Sequence, residues 1–253
     1  MLFDTHAHYD DERFDGDREA LLAGMPEKNV GLIVNPGCDI SSSRTAVALA
    51  ESFDFVYAAV GIHPENCGDF EPGMIDRLRQ MAKNPKVVAI GEIGLDYYWK
   101  EVPRDLQKEV FRAQLQLAKV LDLPVIVHDR EAHADCLAIV REFPGVRGVF
   151  HCYSGSAEDA KTLVKLGWHL SFTGTITFKN ARKAPEVIAA VPLERIMVET
   201  DAPYMAPTPF RGKRCDSRYV YRMAETIAEI KGLTPAEVEQ ATTENGKALF
   251  AIP

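Results

Sequence analysis

The chain has 253 residues, 46 % of them hydrophobic and 26 % charged, which is ordinary for a globular protein with a substantial core. No run of about eighteen apolar residues occurs, so no transmembrane helix is expected, and the start MLFDTHAH lacks the basic and long apolar regions of a secretory signal. The formal net charge of -8 is opposite to that of proteins that coat duplex DNA; a nucleic-acid contact would need a local basic patch or bound cations.

Five cysteines (Cys38, Cys67, Cys136, Cys152, Cys215) are odd in number and form no C-x-x-C. They point to free thiols in a reducing cytoplasm. Along the chain, eight β-rich runs recur: 2–6, 30–37, 55–64, 87–94, 124–130, 146–154, 168–174 and 195–203. They are nearly continuous in apolar residues and do not alternate, as strands covered on both faces do. Helical patterns lie between them. Residues 105–121 carry Leu106, Val110, Ala113, Leu117 and Leu121 on one stripe. Residues 156–167 start with Ser156 as N-cap and end with Gly167 at the C-terminal cap. The last helix opens with Thr234 as N-cap, Pro235 in the first turn and Glu237 closing a capping box.

Eight strands alternating with helices over this length predict an α/β fold, a (β/α)8 TIM barrel, as a single domain over residues 1–253. A doubly wound open sheet is the rival, but no G-x-G-x-x-G follows the first strand. Barrel function collects at the C-terminal strand ends. His6 and His8 follow the first strand, His63 the third, Glu92 and Asp96 the fourth, His128 and Asp129 the fifth, His151 the sixth, Glu199 and Asp201 the eighth. His169 and His133 fall elsewhere and are read as structural.

Residues i and i+2 of a strand share a side, so His6 and His8 both face the axis. One histidine at a strand end is more often hydrogen-bonded than metal-bound. Four histidines with two acids, drawn from several strand ends, favour a metal centre. Imidazole with carboxylate suits zinc, manganese, iron or cobalt, and magnesium less well. Glu92 lies between the two histidine groups and could bridge two metals. Asp201 is the better ligand of the last pair, with Glu199 orienting a ligand or water.

FDTHAH, VGIHP, GEIGLDYY, VIVHDREAH, FHCYSGS, FTGTITFKNA and ETDAPYMAP stand in order from end to end. In these motifs the chain resembles the TatD family of metal-dependent deoxyribonucleases, within the amidohydrolase-like barrels. The resemblance implies two divalent cations per chain, with family usage pointing to Mg2+ and ligand type to Zn2+ or Mn2+. It assigns one to His6, His8 and Asp201 and the other to His128 and His151, with Glu92 shared. His63 would contact the scissile phosphate. One departure is visible: the family's RGKR continues as Asn-Glu-Pro, and here it continues as Cys-Asp-Ser (215–217).

Two metals about 3.5–4 Å apart can clamp an in-line displacement at phosphorus, with Asp201 as the base that deprotonates the water. Glu92, Asp201 and His63 are thus the expected catalytic residues. Residues 210–222 interleave Arg211, Lys213, Arg214, Arg218 and Arg222 with aromatic residues, a pattern suited to single-stranded nucleic acid. Arg211, Lys213, Arg214 and Tyr97 are the expected substrate contacts, with Tyr98 and Trp99 beside Tyr97. The expected partner is DNA at single-stranded ends, digested 3′ to 5′ by a monomer without membrane contact. A metal-dependent ester or amide hydrolase, such as an aminoacyl-tRNA deacylase, is the alternative, and a non-catalytic scaffold is the third reading.

Overall fold

The eight apolar runs form eight strands in the computed structural model, which describes residues 1–253. The strands are β1 (Leu2–Asp4), β2 (Val30–Pro36), β3 (Val56–Val60), β4 (Val87–Asp96), β5 (Val125–Arg130), β6 (Gly148–Phe150), β7 (His169–Phe172) and β8 (Ile196–Val198). They lie in sequence order in one sheet, each parallel to the next. Between and after them run α1 (Arg18–Ala23), α2 (Ile40–Ser52), α3 (Gly73–Met81), α4 (Arg104–Leu121), α5 (His133–Arg141), α6 (Ala157–Lys165), α7 (Lys183–Ala190), α8 (Tyr221–Lys231) and α9 (Pro235–Phe250). This is the (β/α)8 barrel. No helix is long and apolar enough to cross a membrane.

The ring closes where β1 and β8 meet. Thr5 donates its amide to Val198 O at 3.2 Å, Asp201 its amide to His6 O at 2.9 Å, and His8 its amide to Ala202 O at 2.7 Å. An isolated parallel bridge joins Ala7 to Ala202. The closing bonds therefore run through the segments that carry the candidate ligands.

Two apolar clusters follow from the geometry. A large one fills the space between sheet and helices. A smaller one gathers Phe3, Val34, Ala59, Ile126, Val149 and Met197 with Leu249 and Phe250 at the end of α9. Two residues beyond Ile126, Val149 and Met197 stand His128, His151 and Glu199. The period of two thus puts an apolar floor directly beneath a polar site.

The helix signals take the expected positions. Ser156 Oγ accepts the Asp159 amide at 3.0 Å, and Gly167 has φ +93° beyond α6. Thr234 and Glu237 form the reciprocal capping box of α9. Several strands are shorter than their sequence runs. β1 ends at Asp4 and not at residue 6, β3 at Val60, β6 at Phe150 and β8 at Val198. Past these points the chain leaves the ladder, and its polar side chains turn to one another instead. The helical stripe on α4 is also shifted: Gln107, Val110, Phe111, Gln114 and Leu115 are buried, while Leu106, Ala113 and Leu121 are only partly so.

Candidate metal centre

Glu92 sits at an irregularity. Along the β4–β5 pair, Ile90 faces Val125 but Ile93 faces Val127, so β4 uses three steps where β5 uses two. Such a bulge re-aims a side chain, and Glu92 points inward at 3 % exposure. Its amide donates to Gly37 O at 2.9 Å. Gly94 is required one turn of the pleat later. Its φ is +143°, and a Cβ there would stand 2.0 Å from His128 O, so no other residue lets β5 approach this closely.

The two oxygens of Glu92 face two sets of donors. Oε2 lies 3.2 Å from His6 Nε2 and 3.4 Å from His8 Nε2. Those two nitrogens are 3.0 Å apart, and Asp201 Oδ1 stands 3.7 and 3.6 Å from them. Oε1 lies 2.8 Å from His128 Nδ1 and 2.7 Å from His151 Nε2, themselves 3.1 Å apart. Metal–ligand bonds of about 2.1 Å give tetrahedral edges of about 3.4 Å. The first set has that spacing; the second is slightly tighter. Imidazole nitrogens facing one another at 3 Å need a proton or a cation between them. The chemistry of the donors fits a divalent cation in each set.

The supporting bonds select which nitrogens are free. Asp96 Oδ2 lies 2.9 Å from His128 Nε2, which holds the proton there and leaves Nδ1 toward Glu92. Glu199 Oε1 stands 3.4 Å from His151 Nδ1, accepts the Cys152 amide at 2.6 Å, and its Oε2 accepts from Ser171 Oγ at 2.5 Å. Glu199, His6 and His151 could also be grouped as metal donors. Its two donors already orient Glu199, and the His6 and His151 rings stack face to face at 4.0 Å; supporting His151 is the better reading. His63 could likewise join Glu92 and His128. Its Nδ1, however, accepts the Glu65 amide at 3.2 Å, so Nε2 carries the proton and points it at Glu92 Oε1, 3.4 Å away. His63 is arranged as a donor and not as a ligand.

Charge follows the same layout. Burial opposes ionisation of Glu92, but the imidazoles of His151, His6 and His63 outweigh it and hold the carboxyl well below its usual range. Burial, with His128 beside it, pushes His63 down to about 4, so it is a neutral donor near pH 7. Burial raises Asp201 above an ordinary carboxylate, which suits a base. Asp201 also has φ +55°, a backbone state that costs free energy and collects at functional sites.

Sequence reasoning missed a buried network under this centre. Asp4 accepts from Thr200 N at 2.9 Å, Thr200 Oγ1 at 2.6 Å and Ser217 Oγ at 2.6 Å. Tyr9 OH donates to Ser217 Oγ at 2.8 Å. The departure at 215–217 thus supplies a hydroxyl that ties the loop after β8 to β1. Gln114 was missed too: its Oε1 accepts the Ile62 amide at 2.7 Å and its Nε2 donates to Ile62 O at 3.0 Å, fixing the chain beside His63. Polar residues at the buried phase of a helix were the available signal.

The expected substrate contacts divide. Arg211 and Lys213 are exposed; Arg211 lies over the Phe178 ring at 4.5 Å, and neither makes an ion pair or side-chain hydrogen bond. Arg214 does not share this freedom. It forms a two-pronged pair with Asp17 at 2.8 and 2.6 Å and donates to Arg13 O at 2.7 Å, so its charge is already matched. Tyr97 does not offer its ring to the mouth either. It is 9 % exposed, donates to Asp135 Oδ2 at 2.6 Å and lies under Arg104, because its phenol finds a partner only between α4 and α5. Its neighbours Tyr98 and Trp99 are exposed.

Comparison with known proteins gives the chain's relatives. The family model described as TatD related DNase matches residues 3–251. The chain is 45 % identical to the uncharacterized metal-dependent hydrolase YabD of Bacillus subtilis, over 100 % of both chains. It is 38 % identical to the uncharacterized metal-dependent hydrolase YcfH of Escherichia coli, covering 100 % of this chain and 96 % of that one. The crystal structure of YjjV, a TatD homologue from E. coli, superposes with a TM-score of 0.93 at 35 % identity, covering 100 % and 98 % of the two chains.

Proposed function

The chain belongs to the TatD family of metal-dependent hydrolases, and from that premise we propose that it hydrolyses DNA phosphodiester bonds with two divalent cations, as a 3′–5′ exonuclease on single-stranded ends. The observation that carries this reading is the division of Glu92: one oxygen toward His6 and His8, the other toward His128 and His151. A pair of cations held this way supplies charge to phosphoryl oxygens and lowers the pKa of water.

The chain's own residues do the rest. Asp201 takes a proton from the attacking water as the new P–O bond forms. When substrate binds, His63 turns its Nε2 proton from Glu92 Oε1 to a phosphoryl oxygen and donates a hydrogen bond there. The old P–O bond breaks on the far side, and its oxygen leaves as the alcohol after taking a proton from solvent. Asp96 and Glu199 hold His128 and His151 in position. Arg211 and Lys213, being unpaired, take flanking phosphates.

The test is metal analysis of the purified protein, then cleavage of a 5′-labelled oligonucleotide with Mg2+, Mn2+ or Zn2+ restored. A ladder shortening from the 3′ end is expected, with loss of at least a hundredfold in a Glu92→Gln variant. Deacylation of aminoacyl-tRNA without oligonucleotide cleavage would replace this reading with an acyl-ester hydrolase.

A further inference from the structure

Most arginines around the barrel mouth have their charge satisfied. Arg13 pairs with Asp11, Arg214 with Asp17, Arg218 with Asp216 and Arg222 with Glu225. Arg130, the last residue of β5, is exposed and makes no ion pair and no side-chain hydrogen bond. Its guanidinium carbon lies over Tyr98, 3.9 Å from that ring centre, and 5.8 Å from the Trp99 ring centre. Tyr98 and Trp99 meet edge to face at 4.9 Å and are 46 % and 45 % exposed. Stacking holds the cation in place without neutralising it.

This group is fixed to the metal centre by one carboxylate. Asp96 Oδ1 accepts the amides of Tyr98 and Trp99 at 2.9 and 3.1 Å, while Oδ2 holds His128 Nε2 at 2.9 Å. Arg130 also follows His128 by two residues of strand, a rise of about 6.6 Å on the same side. The platform is therefore registered to the centre, one strand repeat away.

We propose that Arg130, Tyr98 and Trp99 form a nucleotide subsite. Arg130 takes a phosphate next to the reacting one, and Trp99 stacks on the base attached to it. The proposal rests on the nuclease reading, and it adds a second pole to the substrate path. The strand would lie across the centre from Trp99 and Arg130 on the β4–β5 side to Arg211 and Lys213 on the β8 side. A nucleotide, which carries an anion beside a flat ring, satisfies both halves of the platform. Only an unpaired strand leaves its bases free to stack, so the subsite would favour single-stranded ends.

Trp99 makes the test direct. The chain has two tryptophans, and the other, Trp168, is 2 % exposed. Quenching of tryptophan emission by a bound strand therefore reports Trp99. The metal-loaded protein would be titrated with a phosphorothioate-linked deoxyadenylate octamer and with its abasic counterpart. The adenylate octamer should quench and the abasic strand should not, with about tenfold weaker binding for the latter. Arg130→Ala should weaken octamer binding about tenfold and lower the salt slope by about 0.7. Trp99→Phe should abolish the signal while circular dichroism stays unchanged. The metal content of both variants should equal that of the unmodified protein, which places any loss of binding at the platform and not at the centre. Equal binding of abasic and adenylate strands, or an unchanged affinity in Arg130→Ala, would overturn the subsite while leaving the nuclease reading intact. Failure of the unmodified protein to cleave any phosphodiester would strike the nuclease reading; quenching by the octamer would then still separate the two.

Discussion

Replacing Glu199 by glutamine separates support of a ligand from support of the fold. Glu199 is 1 % exposed and holds the Cys152 amide and the Ser171 hydroxyl. Glutamine has the same shape. Its carbonyl can keep the Cys152 amide, and its NH2 can donate to Ser171, whose hydroxyl then turns to accept. Both contacts survive, so the cost to folding should be about 1 kcal/mol or less. What is removed is the negative charge 3.4 Å from His151 Nδ1. That charge helps hold the His151 proton affinity well above its usual value, and the same charge strengthens the ring as a metal donor. Losing such a partner costs about 10- to 100-fold in metal affinity, or about 1.4–2.7 kcal/mol. The assay is competition with a chromophoric chelator for the two metal equivalents, beside urea unfolding of the metal-free protein. One equivalent should weaken and the other hold. Equal metal affinities with a lower urea midpoint would mean that Glu199 serves only the fold, and the argument would fail.

Three further outcomes are expected. Gly94→Ala drives a Cβ into His128 O in a backbone state that alanine resists; it should destabilise by about 2 kcal/mol or more in urea. Gln114→Leu orphans both the amide and the carbonyl of Ile62 and should cost about 3 kcal/mol by the same measurement. His169 lies away from the centre at the start of β7, and burial, with Arg195 beside it, pushes it down to about 4 from 6.5. Its folded form resists protonation, so its share of stability is complete above pH 6.5, declines as pH falls toward 4, and changes no further below. With screening by the water it still meets, that share is about 2 kcal/mol. Wild type should lose that much more than His169→Gln between pH 7 and pH 4, and parallel stability curves would rule it out.

The strands were legible because covering both faces of a strand demands unbroken apolar runs, such as VVAI before Glu92. The ligand candidates were legible because polar residues at the ends of such runs have few other uses. The places where strands stop were not legible. His6 and His8 lie past the end of β1, and their closeness is fixed by bonds to Val34 and Ala202, far away in sequence. Tyr97 and Trp99 are aromatics two residues apart that a sequence cannot tell apart; one finds Asp135 on α5 and the other stays exposed. Arg214 looked as free as Arg211 until Asp17 folded beneath it. Such pairings depend on which surfaces the barrel brings together, and local pattern carries no trace of that.

The seam between β1 and β8 has a kinetic consequence. His6 and Asp201 meet only when strands separated by nearly the whole chain hydrogen-bond to each other. Contacts of such long range form late, because the loop between them must be closed first. A partly folded barrel, with β2 to β7 in place, would already hold His128, His151 and Glu92 together, yet the seam would stand open. The two halves of the centre would therefore become able to capture a cation at different stages of folding. Metal added during refolding should bind in two phases, the slower one reporting the closing of the ring.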